Sequence, residues 1–261
     1  CILTILYICL IIVYNYGWHK SMLSTKPVVA HHTHTFSIII PARNEAENIL
    51  QLLKSITANN YPTTAYEIII IDDFSTDHTA ARVSHYIATH PSINIKLLQL
   101  ADHLSATERI VAYKKMALDL AIRQAQYDYI ITVDADCMVT PLWLQQYNIA
   151  FQSSNHLFVA GPVKFIKPEK SSSLLFYFQD LDFTTMQGIT PAANYLGLGN
   201  MCNGANLGFQ KKAFFEVNGY QDINHLASGD DMMLMHKFKK RFGSCISYIH
   251  SQHGIVYTYA Q

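Results

Sequence analysis

Three groups of aspartates carry the chemistry open to this chain: Asp72-Asp73, Asp134-Ala135-Asp136 and Asp230-Asp231. Each of the first two stands where an apolar run ends, of the kind that makes a buried parallel strand. The third follows Ser228-Gly229 and opens a helix-like stretch. Carboxylates at the carboxyl ends of parallel strands converge on one crevice, where open α/β sheets bind their ligands. Two carboxylates separated by one small residue can both approach a hard divalent cation. Mg2+ or Mn2+ prefers such oxygens and keeps substrate phosphates in its shell, so the ion offsets charge building on a diphosphate leaving group. One of Asp230 and Asp231 suits a general base for an attacking hydroxyl, although acids in a first helical turn are also favoured by the macrodipole alone.

Smaller motifs surround these acids. Pro41-Ala42-Arg43-Asn44-Glu45 ends one strand run and opens a helix, whose free N–H groups suit a polar or anionic ligand; an ordinary turn capped by Asn44 is the plain alternative. In Asp72-Asp73-Phe74-Ser75-Thr76-Asp77 a carboxylate can accept hydrogen bonds from a base edge or a ribose, while Ser75 and Asp77 cap the next helix. Cys202-Asn203-Gly204-Ala205-Asn206 is polar and built around glycine, suited to close backbone approach or to a simple turn. Lys114 and Lys115 read as a solvated helix face. The whole set points to an enzyme acting on a nucleotide-diphosphate substrate.

The elements that must position these residues alternate. Strand runs at Phe36–Ile40, Glu67–Ile71, Ile93–Leu98 and Tyr129–Val133 are interleaved with helical spacing at Ala46–Ala58, Thr76–Thr89 and Thr107–Ala125. The unbroken β-branched runs mark strands buried on both faces, and the alternation predicts a doubly wound, mostly parallel α/β sheet with a Rossmann-like nucleotide-binding half. Farther on, Thr140-Pro141 predicts a helix start, Leu157–Val163 one strand, Ser171–Met186 a helix, Thr190–Met201 a Gly-rich loop, Asn206–Phe209 a short strand and Asp230–Phe242 a helix.

Composition narrows the class. Half of the 261 residues are apolar, 15% are charged, and 19 basic residues balance 19 acidic ones. The chain is therefore not disordered and offers no basic face for nucleic acid. Five scattered cysteines without CxxC spacing argue against a disulfide framework or a zinc site and fit a reducing compartment. Ile2–Val13 is almost wholly apolar and is followed by Tyr14, Tyr16, Trp18, His19 and Lys20, the pattern of a membrane helix at its interfacial end. The expected organisation is a truncated transmembrane helix over residues 1–19, a polar linker over 20–35 that includes His31-His32-Thr33-His34, and a catalytic domain over 36–261. A first residue other than Met and an end at Tyr259-Ala260-Gln261 read as a fragment, its catalytic domain cut at the carboxyl end. Lys20 and Lys26 favour a cytoplasmic catalytic part.

The order Pro-Ala-Arg-Asn-Glu, Asp-Asp-Phe-Ser-Thr-Asp, Asp-Ala-Asp and Gly-Asp-Asp resembles the family 2 glycosyltransferases of the GT-A fold, from about Phe36 to about Ile249. The resemblance implies inverting transfer from a nucleotide-diphosphate sugar, usually a UDP-sugar, to a hydroxyl of a glycan or lipid-linked acceptor at the cell membrane. It implies that Pro41, Glu45 and Asp73 contact the uridine, with Ala42, Arg43, Asp72 and Lys114 in the same nucleotide-binding set. By the same resemblance, Asp134 would lie near ribose and metal, Asp136 would ligate Mn2+ or Mg2+, and Asp231 would be the base, with Asp230 beside it where many relatives carry Glu. Asn203, Gly204, Ala205 and Asn206 match the acceptor-side stretch. In Lys114-Lys115-Met116-Ala117-Leu118-Asp119 the family's usual Asn is replaced by Asp119. The Gln-x-x-Arg-Trp motif of processive members belongs beyond the last residue. A nucleotidyltransferase is the alternative enzyme, disfavoured because Pro41–Glu45 lacks a Gly-rich phosphate loop; a non-catalytic nucleotide-binding relative is the other, disfavoured because every acidic group is present.

Overall fold

The structure, a computed structural model, describes residues 2–24, 33–103, 112–167, 173–199, 201–222 and 229–260. The linker residues Lys26, Pro27, His31 and His32, the expected helix start at Thr107, Ser171 and Ser228 lie outside the described residues.

In chain order the elements are α1 (Ile2–Ser24), β1 (Phe36–Ala42), α2 (Ile49–Thr57), β2 (Tyr66–Asp72), α3 (Thr79–Thr89), β3 (Ile95–Gln99), α4 (Tyr113–Gln124), β4 (Tyr129–Thr132), β5 (Met138–Val139) and α5 (Trp143–Ala150). They continue as β6 (Phe158–Ala160), β7 (Val163–Phe165), α6 (Leu174–Tyr195), β8 (Leu207–Gln210), α7 (Lys211–Glu216), α8 (Asp230–Phe242), β9 (Ile246–Tyr248) and β10 (Val256–Thr258). Seven strands form one sheet in the order β3-β2-β1-β4-β8-β6-β9, and β5-β10-β7 form a second. Strands β3, β2, β1 and β4 are mutually parallel, and β8 runs against both of its neighbours. The mostly parallel, doubly wound α/β sheet expected from the alternation is present.

Its core follows the strand period. Ile38, Ile40, Ile68, Ile70 and Ile131 enter one buried cluster, while Ile39, Ile69, Ile71 and Ile130 enter the other. Helices cover both faces, which is why β-branched residues run without polar interruption. On α2 the residues Ile49, Leu52, Leu53 and Ile56 recur at helical spacing and are buried. Ala42 pairs with Asp72 where β1 and β2 end together, whereas β4 ends at Thr132 opposite Ile39, so the chain from Val133 to Asp136 continues past it toward the ends of β1 and β2.

Several expected boundaries shift for local reasons. Helix α5 begins at Trp143, because the Thr140 hydroxyl donates to the His253 carbonyl and does not cap. Helix α3 begins at Thr79, since Thr76 is tied to Asn44. The single strand expected at Leu157–Val163 is two strands in two sheets, broken at Gly161-Pro162. The loop expected over Thr190–Met201 is helical as far as Tyr195, although Pro191 lies inside α6. Pro191 has no N–H for the Gln187 carbonyl, and the Tyr248 hydroxyl donates there instead at 3.4 Å.

Helix α1 reaches Ser24, beyond the end expected near residue 19, so the linker begins later than residue 20. Ile2–Leu23 has mean hydropathy 1.6 and is long and apolar enough to cross a membrane. Residues 2–13 are exposed, whereas Tyr14, Gly17, Trp18 and Ser21 turn toward the domain at i, i+3, i+4 and i+7. A Cβ on Gly17 would lie 2.7 Å from the Ala192 carbonyl oxygen, so glycine is what lets α1 sit against α6. The Ser21 hydroxyl pairs with His250 Nε2 at 2.8 Å, and the Trp18 ring meets the His250 ring edge-on at 5.3 Å.

Candidate active site

A cleft of about 230 Å3 opens at the carboxyl ends of β1, β2 and β4, lined by Pro41, Ala42, Arg43, Glu45, Asp73, Lys114, Asp134, Ala135 and Asp136. All but one of the nucleotide-side and metal-side residues expected from sequence line it. The exception is Asp72, which is buried beside Asp73 at the end of β2. Four acids and two bases therefore share a small volume, and their charges decide its properties.

One wall of the cleft is built by two interlocked turns. Asn44 and Phe74 both hold positive φ, 57° and 55°, a conformation costing roughly 1–2 kcal/mol for a residue with a Cβ. Asn44 N–H donates to the Ser75 hydroxyl at 2.9 Å, and the Asn44 side-chain oxygen accepts from Thr76 N–H at 2.8 Å. Asn44 thus ties the two turns together and is not a helix cap. Asp77 accepts from Ala46 N–H and Thr79 N–H, while Ser75 caps nothing on α3. Asp73 sits 3.8 Å from the Arg43 guanidinium. Burial raises its carboxyl above the ordinary range, Arg43 opposes this, and Asp72 adds to it. Asp72 and Asp73 each keep one buried oxygen, Oδ1, with no partner. Burial also raises Glu45, partly offset by its bond from Asn48; Asp136, Asp134 and Asp77 push it the same way as burial.

On the opposite wall, Lys114 Nζ donates to Asp134 Oδ1 at 2.8 Å. Lys114 is thus a cleft cation rather than a solvated helix face. Burial alone would pull its ammonium down, but Asp134, Asp230 and Asp231 hold it above its ordinary value. Ala135 turns inward and is buried, leaving Asp134 and Asp136 half-buried on either side. Among the described residues no three His, Cys, Asp or Glu side chains form a ready metal cage. The two carboxylates fit Mg2+ or Mn2+ only with phosphate oxygens and water completing the shell, which is the habit of these ions.

Asp231 stands outside the cleft lining, beyond Lys114. Gly229 in left-handed backbone (φ 73°) stands at the N-terminus of α8, placing Asp230 and Asp231 in its first turn. Gly204 N–H donates to Asp231 Oδ2 at 2.9 Å, and Thr132 at the end of β4 donates to the Gly204 carbonyl at 3.0 Å. Burial raises Asp231 above the ordinary carboxylate range, Met232 N–H opposes it, and Asp230 reinforces it. A half-buried carboxylate with a raised value, held by two backbone N–H groups, is suited to accept a proton.

Among the acceptor-side residues, Asn203, Gly204 and Ala205 form a tight turn beside Asp231, with the Asn203 side chain accepting from Ala205 N–H. Asn206 is different. It is fully buried, and its amide serves Trp143 Nε1, Tyr147 hydroxyl, Pro162 carbonyl and Gly254 carbonyl. With all four bonds used internally, Asn206 positions this turn and leaves nothing for a ligand, a correction to its expected acceptor role. Thr132 and Phe74 carry weight that the sequence reading assigns to neither; the left-handed backbone of Phe74 has no signature in the residue order.

A family model, glycosyl transferase family 2, matches residues 37–214. The glycosyltransferase AglE of Haloferax volcanii is 27% identical over 211 residues, covering 81% of this chain and 61% of that protein. Among solved structures, the mannosyltransferase PcManGT of Pyrobaculum calidifontis, in complex with GDP-Man and Mn2+, superposes with a TM-score of 0.69 at 19% identity, over 95% of this chain and 65% of that one. Staphylococcus aureus TarS 1–349 in complex with UDP-GlcNAc does so with a TM-score of 0.60 at 18% identity, over 87% of this chain and 59% of that one. The chain thus spans about 60% of the length of these proteins, and the two structures share its GT-A-type fold.

Proposed function

From the premise that this chain belongs to glycosyl transferase family 2, we propose that it moves a sugar from a nucleotide-diphosphate donor, a UDP-sugar, to an acceptor hydroxyl with inversion. The observation that carries this reading is the convergence of Asp73, Asp134 and Asp136 on one cleft, with Lys114 joining that cleft to Asp231. The base and ribose lie on the wall made by Pro41, Arg43, Glu45 and Asp73, and the diphosphate lies toward Lys114 and Asp136. The donor complexes of the two structural neighbours, with GDP-Man and with UDP-GlcNAc, support a nucleotide-sugar.

Asp231 removes the proton from the acceptor hydroxyl while its oxygen attacks the anomeric carbon on the face opposite the diphosphate. The Asn203–Ala205 turn holds Asp231 through Gly204 N–H and presents backbone to the acceptor. Lys114 keeps its charge throughout and offsets the leaving diphosphate. Asp134 and Asp136 would hold a divalent cation, which would supply further neutralisation of that diphosphate. Helix α1 anchors the domain to a membrane with the cleft on the cytoplasmic side, where nucleotide-sugars are found, and the acceptor belongs to a surface polysaccharide or glycolipid.

The test is calorimetric titration with UDP, with and without Mn2+. Binding that needs the metal and vanishes in Asp136→Asn supports the donor site. Absence of binding to UDP, GDP and dTDP alike overturns it.

A further inference from the structure

Two aromatic side chains flank the cleft, and the polar chemistry above uses neither. Phe74 follows Asp73, and Tyr113 precedes Lys114, so each is chain neighbour to a cleft-lining residue. The Phe74 ring is 40% exposed and meets Tyr113 edge-on, with centroids 5.7 Å apart and planes at 85°. An edge-to-face contact occupies at most one of its two faces, and the exposed part of the ring is open to solvent next in sequence to Asp73.

The backbone argues that this presentation is built. A bulky residue at φ 55° is a conformational outlier that glycine or asparagine would hold at lower cost. The turn is pinned by Ser75 N–H on Asp72 Oδ2 and by the reciprocal bonds to Asn44. A large apolar ring kept strained and exposed gains nothing from core burial, and such outliers cluster at ligand clamps. The second observation is the pair of orphaned oxygens: Asp72 and Asp73 are 4% and 7% exposed, and the Oδ1 of each has no partner. A planar ligand bearing N–H groups on its edge, stacked on Phe74, brings donors to those acceptors. A phosphate there would meet two carboxylates against the single Arg43 guanidinium.

We propose that Phe74 is the stacking surface for the nucleobase of the donor, propped edge-on by Tyr113, with the base edge turned toward Asp72 and Asp73. This rests on the donor reading above and adds the residue that binds base rather than phosphate. Stacking of one base on an aromatic ring changes affinity by about tenfold or more.

The experiment measures Mn2+-dependent binding of UDP and of inorganic pyrophosphate to the full chain and to F74A, F74G and F74W. The expected result is a loss of about tenfold in UDP affinity for F74A and F74G, pyrophosphate affinity unchanged, and UDP binding restored in F74W. F74G also relieves the left-handed strain, so its Tm stays level or rises; weakened UDP binding then cannot be blamed on misfolding. UDP affinity equal to the parent's in F74A and F74G overturns the proposal, as does a parallel loss of pyrophosphate, which marks a structural ring. A parent chain that binds pyrophosphate but no nucleotide overturns the donor reading itself, a different signature from UDP binding indifferent to Phe74.

Discussion

The two ends of β2 carry acids in opposite condition. Near its beginning, Glu67 is fully buried and accepts from Ser37 hydroxyl at 2.6 Å, from Lys96 Nζ at 2.7 Å and from Gln126 N–H. Burial alone would raise it, but Lys96, Ser37 and Gln126 together hold it below its ordinary 4.5. Five residues on, Asp72 and Asp73 each retain a buried oxygen without a partner, and Asp73 is raised. Same strand, same sheet, similar burial: one end is satisfied and the other is not. The satisfied end ties β1, β2 and β3 together, and the unsatisfied end is the one that the proposed donor reading assigns to a ligand. The cost of the second is borne by the first, as expected where function keeps polar groups unpaired in a fold that must remain stable.

The contrast is broken most sharply at the base. Asp231→Asn should lower transfer by about 100- to 10,000-fold while leaving Mn2+-dependent UDP binding near the parent's; steady-state rates with calorimetry check it, and transfer at the parental rate would remove Asp231 from the role. At the satisfied end, Glu67→Ala should destabilise by on the order of 3 kcal/mol, because it strands the buried partners of a complete network. Denaturant unfolding reads that loss, and UDP affinity in the folded fraction should be unchanged.

A smaller effect sharpens the same comparison. Asp73→Asn removes a buried charge whose ionised form the fold disfavours, so Tm should hold or rise while UDP affinity falls about tenfold. An equal fall in Tm and affinity would make Asp73 a structural residue like Glu67. The smallest signal is in pH. Glu67 has a depressed value, so its stabilisation is present above 4.5 and is lost as pH falls through the lower, folded value. Asp231 has a raised value, so its ionisation costs stability at neutral pH and protonation relieves that cost as pH falls. Asp231→Asn should therefore match or exceed the parent's Tm at pH 7, with the gap closing on acidification. Parental transfer should decline as pH drops through Asp231's raised value, above the ~3.9 of an exposed aspartate.

Much of this was legible in residue order. Unbroken isoleucine runs named the parallel strands, because a strand covered on both faces cannot alternate. The aspartates at the ends of those runs named the cleft, since strand ends in such a sheet share one edge. Misreadings came where a distant partner overrode a local signal. Thr140 gave its hydroxyl to His253, and Pro191 stayed helical because Tyr248 took the carbonyl it left open. Lys114 read as a surface residue because three carboxylates distant in sequence set its charge. Asn206 sat within a ligand-like motif yet spends its amide on four interior partners.

Sequence alone determined the sheet, the family and the set of acids, since these follow from hydrophobic period and from motifs local in the chain. Tertiary structure decided which acids are satisfied, which keep an unpartnered oxygen, and the left-handed backbone that leaves Phe74 exposed. Those depend on burial and on partners brought together from separate elements, and neither desolvation nor a left-handed turn is written in the order of the residues.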